Sequence, residues 1–157
     1  MKTENLQEWI GKTEERSDLL NAFPANAMAA TLNHEQLDYS ENKNLPPLWH
    51  WLYFLPIFRL SEAGYDGHAA LGDFLPPVQL PRRMWAGSRI EFLSPLKVGN
   101  EYKKKSKIKN VIAKSGRSGD LVFVTVTHEV SNGTTVFIKE EHDIVYREKA
   151  TSSSGPA

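Results

Sequence analysis

The sequence predicts an α+β fold, in which one short alanine-rich helix packs against an antiparallel sheet of long strands. Two patterns favour this class. Helical spacing is confined to the first 32 residues, whereas strand-like alternation of apolar and polar residues dominates after Trp85. The chain length of 157 residues, with 40% hydrophobic content, fits a single domain with its own core.

The helical signals lie near the N-terminus. A short amphipathic turn that stops at Gly11 is predicted by apolar residues at helical spacing, namely Leu6, Trp9 and Ile10. The charged run 13–18 is expected to be exposed. Residues 24–32 predict the main helix, with Pro24 at the first helical position, where its missing N–H costs nothing. The alanines of this segment suit a buried central helix that approaches a sheet closely.

Residues 45–83 are expected to be irregular. Six of the nine prolines fall in this range, which argues against long regular elements. Four aromatic residues cluster in one short run: Trp49, Trp51, Tyr53 and Phe54. A long irregular segment inside a compact domain usually serves as a lid or a binding loop.

Four antiparallel strands are predicted at 88–93, 102–113, 121–130 and 136–146, joined by turn signals at 115–119 and at Asn132-Gly133. The second of these strands is expected to carry a row of four lysines on a solvated face, namely Lys103, Lys105, Lys107 and Lys109. Its opposite, buried face is expected to carry Tyr102, Ile108 and Ile112. Because this lysine row has no interleaved aromatic residues, it favours a solvated sheet face over a nucleic-acid interface.

Composition excludes several classes of function. The 19 basic residues balance 19 acidic ones, so no global field attracts nucleic acid. Without cysteine, the chain has neither disulfides nor thiolate zinc sites. No signal peptide and no membrane-spanning stretch is evident, so a cytoplasmic location is expected. Residues 1–147 form the predicted domain, and 148–157 have the composition of a flexible linker.

Distinctive strings occur at 9–14, 45–54, 67–87, 95–99 and 143–147. They include the tryptophan-rich run around Trp49-His50-Trp51 and the string Pro81-Arg82-Arg83-Met84-Trp85. Over nearly the whole chain, they resemble the N-terminal dehydratase domain of the MaoC-like mesaconyl-CoA hydratase and type 2 hydroxyacyl-thioester dehydratase family. The resemblance implies a single hot-dog fold, in which long antiparallel strands surround a central helix. It also implies a partner, which is a second hot-dog domain, a catalytic subunit or a second copy of the chain.

The resemblance further implies a supporting role without catalysis. Family chemistry uses an Asp and a His five residues apart at the start of the second hot-dog helix, and the matching stretch here has Asp18 but no such His. Hydration of an enoyl thioester needs an acid, a base and backbone donors to the thioester oxygen. Pro24 removes one of those donors. The expected ligand is an acyl thioester of coenzyme A or of acyl carrier protein, with no further cofactor and no metal.

The predicted substrate-binding residues are Trp49, His50, Trp51, Arg82, Arg83, Met84 and Trp85. The aromatic side chains either line an acyl pocket or pack against the partner, since aromatic residues dominate interfaces. His50 is either a ligand contact or a structural histidine, and the structural role is favoured. The two arginines suit the phosphates of coenzyme A, with an ion pair to Glu91 or Glu101 as the alternative.

Two other groups of polar residues have simpler interpretations. Asp66 and His68 lie in a glycine-flanked loop, where turn chemistry is favoured over a catalytic dyad. Cross-strand charge pairing, rather than a metal site, is the expected role of His128, Glu129, Glu140, Glu141 and His142.

Two alternative functions remain open from the sequence. One is a catalytically silent acyl-CoA-binding module that associates with itself. The other is a hot-dog thioesterase that uses a carboxylate such as Glu140 or Asp143. A dimer is expected in either case, because pairing of edge strands covers backbone groups that would otherwise be open.

Overall fold

The computed structural model describes residues 4–35, 38–116 and 119–149. The predicted linker 148–157 therefore lies outside the described residues except for Glu148 and Lys149. The body is a five-stranded antiparallel sheet with the strand order β1-β3-β4-β5-β2. Its strands are β1 (Thr13–Leu19), β2 (Arg82–Phe92), β3 (Glu101–Gly116), β4 (Gly119–Ser131) and β5 (Val136–Arg147). One α-helix, α1 (Ala22–Thr31), and 3-10 helices at Glu4–Trp9, Trp49–Leu52 and Leu60–Glu62 complete the described part. The arrangement is the predicted α+β fold.

The first strand is a correction to the sequence analysis. Residues 13–18, expected to be merely an exposed charged stretch, belong to β1, which pairs with β3 from Thr13 opposite Lys107 to Leu19 opposite Glu101. Its side chains alternate between half-buried and exposed. The alternation is hidden in the sequence because both faces are largely charged, as is common for edge strands.

The second strand is longer than predicted. It begins at Arg82 rather than at residue 88, and its register against β5 shifts between Trp85 and Gly87. Such an irregularity lets a strand continue through residues that break the simple alternation. The predicted residues Arg82 to Trp85 therefore lie on an edge strand and not in a loop.

Helix α1 begins at Ala22, two residues earlier than expected, with Asn21 as its N-cap. Pro24 is therefore the third helical residue and not the first. It still costs no hydrogen bond, since the first four N–H groups of a helix have no partner within it. The buried face consists of Ala25 and Ala29. No helix within the described ranges is long and apolar enough to cross a membrane.

The buried side chains fall into two clusters on one face of the sheet, the inner face. The first surrounds α1 and includes Leu20, Ala25, Ala29, Tyr102, Val130 and Ile138. The second lies towards the other end of the strands, where residues 71–80 cover Ile108, Val122, Val124, Val126, Ile144 and Tyr146. Helix α1 therefore covers only part of the inner face, and the proline-rich segment covers the rest.

An irregularity in β3 overturns one further expectation. The register against β4 shifts between Ile108 and Asn110, so the alternation changes phase after Ile108. Val111 is consequently buried, whereas Ile112 is 42% exposed and lies on the outer face. Ile112 was expected on the buried face because the sequence shows no sign of the extra residue.

We predict that Ile108→Ala lowers the free energy of unfolding by about 2–5 kcal/mol, because Ile108 is fully buried. The matched change Ile112→Ala, on the same strand but half-exposed, should cost less than about 1 kcal/mol. Urea denaturation of both variants measures the difference. Equal losses would contradict the change of phase.

Candidate functional site

A cavity of about 600 Å³ opens on the inner face between the two core clusters. All five strands contribute to its lining, together with the aromatic segment at 50–56 and parts of 68–75. Its apolar walls include Val126, Ile138 and Ile144, which flank the polar floor on adjacent strands. The size is within the range of small-molecule sites, which is about 300–1,000 Å³.

A row of polar side chains crosses the sheet at the floor of the cavity, and three of its four members, Glu14, His128 and Glu140, line the cavity. Glu14, Ser106, His128 and Glu140 lie opposite one another on β1, β3, β4 and β5. The row is continuous, since His128 Nδ1 and Ser106 Oγ are 2.9 Å apart. These polar groups keep the two apolar clusters apart. If the clusters closed over the row, its polar groups would be buried without hydrogen-bond partners, which is costly.

Glu140 is the central anion of this floor. Its side chain is 8% exposed, and its carboxylate accepts hydrogen bonds from Trp51 Nε1 at 3.2 Å and from Ser88 Oγ at 3.0 Å. Burial alone would raise the pKa of Glu140, but the neighbouring His50, the donors Trp51 and Ser88, and the nearby His128 hold it at about 2. Glu140 is therefore ionised at neutral pH and is a weak base.

His50 is buried in the cavity wall without a hydrogen bond. Its side chain is 3% exposed, and neither ring nitrogen has a partner among the described atoms. Its Nε2 lies 3.6 Å from Glu140, which is longer than a hydrogen bond. The contact with Glu140 fits the expected structural role, and the place of His50 in the cavity lining also allows it to contact a ligand.

The aromatic segment is held in place by strained backbone and long-range hydrogen bonds. Leu48 and Phe54 take positive φ values of 72° and 57°, on either side of the 3-10 helix that carries His50 and Trp51. Non-glycine residues in this region cost about 1–3 kcal/mol each, and the surrounding structure must compensate. Asp18 supplies part of that compensation, because its carboxylate accepts the Phe54 N–H at 2.7 Å.

Cations line the opposite side of the cavity from Glu140. Arg16 on β1 and Lys104 on β3 lie directly opposite each other, and Arg16 forms an ion pair with Glu14 at 3.1 Å. Lys104 is half-buried, with Nζ 5.6 Å from the centre of the Phe54 ring. Burial, with a contribution from the charge of Arg16, lowers the pKa of Lys104 below its ordinary value.

The structure brings together three of the predicted binding residues. His50, Trp51 and Trp85 line the cavity, and the two indole rings meet edge to face with centroids 6.4 Å apart. Trp49 packs instead on Tyr39, with ring centroids 5.1 Å apart, next to the core around α1. The neighbouring residues Arg82, Arg83 and Met84 lie outside the cavity lining.

The two arginines differ in what they contact. Arg83 forms an ion pair with Asp66 at 2.8 Å, which is the ion-pair alternative considered from the sequence, with Asp66 as the partner in place of Glu91 or Glu101. Arg82 is exposed at the start of β2, opposite Arg147. Asp66 also accepts a hydrogen bond from the His68 N–H at 3.2 Å, which is turn chemistry. Burial favours a higher pKa for Asp66, but His68 and Arg83 keep it below its ordinary value.

Several cavity residues escaped the sequence analysis. Glu14 and Arg16 went unrecognised because β1 itself was missed, and Lys104 because the lysine row drew attention to its odd-numbered neighbours. His128 and Glu140 lie opposite each other on β4 and β5, but they do not form the expected charge pair, because the lowered pKa of His128, about 4, leaves it neutral at neutral pH. Within the described ranges, no three side chains of metal-ligating type form a cluster.

The start of α1 has no acid–base pair. The carboxylate of Asp18 is bound to the backbone of Phe54, and the residue five positions later is Phe23, whose side chain is 78% exposed. The Phe23 N–H donates to Asn21 Oδ1 at 3.2 Å, and Pro24 has no N–H. The helix start therefore has no histidine at the expected spacing, and neither Phe23 nor Pro24 offers a free amide to an oxyanion.

Comparisons with known proteins agree on the family. The family model described as hydroxyacyl-thioester dehydratase type 2 matches residues 48–157. The mesaconyl-C(4)-CoA hydratase of Chloroflexus aurantiacus is 43% identical over 156 residues, which cover 99% of this chain. The chain spans 56% of the length of that relative.

A solved structure has the same fold. A chain of the ChsH1–ChsH2 complex from Mycobacterium tuberculosis matches with a TM-score of 0.68 at 12% identity, over 94% of this chain and 95% of that one. The similarity confirms the single hot-dog fold that the resemblance implied.

We predict that His128 makes stability fall at mildly acidic pH. Burial and the charge of Lys104 lower the pKa of His128 from 6.5 to about 4, so between these values only the unfolded chain takes up the proton. The free energy of unfolding should therefore decrease as the pH falls from about 6.5 towards 4. His128→Gln should flatten this dependence, as measured by urea denaturation at several pH values. An unchanged slope in the variant would refute the assignment.

Proposed function

This chain belongs to the hydroxyacyl-thioester dehydratase type 2 family, and we propose that it is the acyl-binding, non-catalytic half of a hydratase or dehydratase of acyl thioesters. The observation that carries the proposal is the inner-face cavity of about 600 Å³, which has no acid–base pair at the neighbouring helix start. The reaction would add water to a 2-enoyl thioester or remove it from a 3-hydroxyacyl thioester.

In this proposal, a partner supplies the catalytic acid and base. Hydration needs a group that can take a proton near neutral pH. Glu140 is a poor candidate, since its pKa lies at about 2 and its carboxylate is occupied by Trp51 and Ser88. A second hot-dog domain or subunit that carries the Asp and His would supply the acid and the base.

The same observations weigh against a thioesterase. Asp143, the other carboxylate considered from the sequence, forms an ion pair with Arg89 at 2.7 Å and accepts a hydrogen bond from Thr125. The hydrogen bonds from Arg89, which are the main cause, lower the pKa of Asp143. Neither Asp143 nor Glu140 is a free base that faces a bound thioester.

Coenzyme A is the carrier that the chain fits best in this proposal. His50, Trp51 and Trp85 are its acyl contacts, because they line the cavity. Arg82 is the proposed phosphate contact, since its side chain is exposed whereas Arg83 is held by Asp66. The mesaconyl group named in the Chloroflexus relative is a candidate acyl group.

The partner would bind along an open sheet edge. Strand β2, with 11 residues, is the longer of the two edges in the described sheet, and Met84 and Trp85 are exposed on it. An unpaired edge with exposed large side chains is suited to association with another hot-dog sheet. A second copy of this chain could take the same place when a catalytic half is absent.

We predict that this chain alone does not hydrate a short enoyl-CoA, and that adding a hot-dog subunit with the Asp/His pair produces activity above that of the subunit alone. The loss of absorbance of the enoyl thioester measures the rate. The Asp18→Asn variant of this chain is the control. The folded variant should increase the activity of the subunit as much as the unaltered chain does, because Asp18 has a structural role. Turnover by this chain on its own would overturn the non-catalytic assignment.

A further inference from the structure

An apolar row crosses the outer face of the sheet, on the side away from the cavity. It has one residue on each of four neighbouring strands, namely Met84 on β2, Val145 on β5, Phe123 on β4 and Ile112 on β3. Each of these residues lies directly opposite the next, so the four side chains share one face. Ile112 is 42% exposed and Met84 is 39% exposed. Within the described chain, none of the four belongs to the cavity lining or to either core cluster.

The face around this row is largely polar. The next cross-strand rows along the same strands carry Thr125 and Asp143, and then Thr127, Glu141 and Arg89. A contiguous apolar row that is bordered by polar side chains is a usual mark of a surface that binds another protein. The apolar row therefore indicates a docking surface on the outer face.

One border of the apolar row carries cations and the other carries a carboxylate. On the cationic border, Arg82 on β2 lies directly opposite Arg147 on β5, and neither arginine forms an ion pair with another described residue. Like charges at directly opposite positions are destabilising, so this pair favours contact with a carboxylate from outside the chain. On the acidic border, the carboxylate of Asp143 accepts hydrogen bonds from Arg89 and Thr125 and has a lone pair left for a further donor.

A second copy of this chain fits the outer face when a two-fold axis runs along the apolar row, between the two sheets. The axis lays the row of one copy over the same row of the other and reverses the direction along the strands. Arg147 of each copy then faces Asp143 of the other, because these residues lie on β5 two positions to either side of Val145. Arg82 of each copy faces Gly87 of the other, where the surface is open.

Charge selects this arrangement over two others. An axis along the strands would lay the cationic border of one copy over that of the other, which is repulsive. A foreign partner with carboxylates on both sides of its apolar residues would bring a like charge against Asp143. A second copy avoids both conflicts, because each chain supplies the cations and the carboxylate.

We propose that the outer face is a docking surface for a second copy of this chain, with the apolar row at its centre. The overlap extends about 20 Å across the strands and about 25 Å along them, or about 500 Å² on each copy. A total of about 1,000 Å² lies at the low end of specific interfaces, so the pair should form at micromolar concentrations. The surface is separate from the β2 edge, so a catalytic partner can occupy that edge at the same time.

Sedimentation equilibrium of the full chain, up to about 200 µM, tests whether the outer face pairs. We expect self-association, and Ile112→Glu should weaken it at least about tenfold, because it places two carboxylates at the centre of the interface. Lys103→Gln is the matched control. It changes the net charge equally on the same face of β3, about 27 Å from Ile112, and should leave the association unchanged. A chain that stays monomeric, or an association that Ile112→Glu leaves intact, would rule out the proposal.

Cross-linking shows which surface pairs. The chain has no cysteine, so Ile112→Cys offers a single thiol to a bismaleimide that spans about 10 Å, the usual separation of packed sheets. Outer-face pairing brings the two thiols within reach, whereas pairing at β2 keeps them more than about 30 Å apart. We expect covalent dimers of Ile112→Cys and none of Lys103→Cys. A self-associating Ile112→Cys chain that does not cross-link would contradict outer-face pairing.

Discussion

A buried carboxylate connects the parts of this molecule that matter for function. Glu140 on β5 accepts hydrogen bonds from Ser88 on β2 and from Trp51 in the aromatic segment, with His50 close by. Leaving a buried charge without its partners costs about 3–5 kcal/mol. The position of the aromatic segment is therefore fixed by the sheet, and Trp51 stays over the inner face as part of the cavity wall. Asp18 fixes the far end of the same segment through Phe54.

The polar floor also explains why a cavity exists at all. An apolar inner face would be covered completely by α1 and by residues 71–80, with the two clusters merged into one core. A row of polar side chains from four strands interrupts that core, because Ser106, His128 and Glu140 bond to one another or to the aromatic segment and cannot be packed under alanines. The buried face of α1, which consists of Ala25 and Ala29, then covers only one end of the inner face of the sheet.

Sequence patterns predicted the fold class, the three C-terminal strands and the aromatic segment, because these depend on local periodicity and turn chemistry. They missed β1, whose charged residues hide its alternation, and the change of phase after Ile108, which depends on pairing with β4. The site was predicted only in part. His50, Trp51 and Trp85 were identified from their residue types, but the convergence of Glu14, Lys104 and His128 depends on strand register, which a single sequence does not specify.

NMR can locate a bound acyl group in this chain and so shows directly whether the inner-face cavity binds it. Methyl signals of the cavity residues Val126 and Ile138 would be followed while a short enoyl-CoA is added, with Leu32, exposed at the end of α1, as the reference. We expect intermolecular contacts from the acyl protons to Val126 and Ile138 and none to Leu32. Acyl contacts at the start of α1, around Phe23, with the cavity signals unchanged, would contradict it.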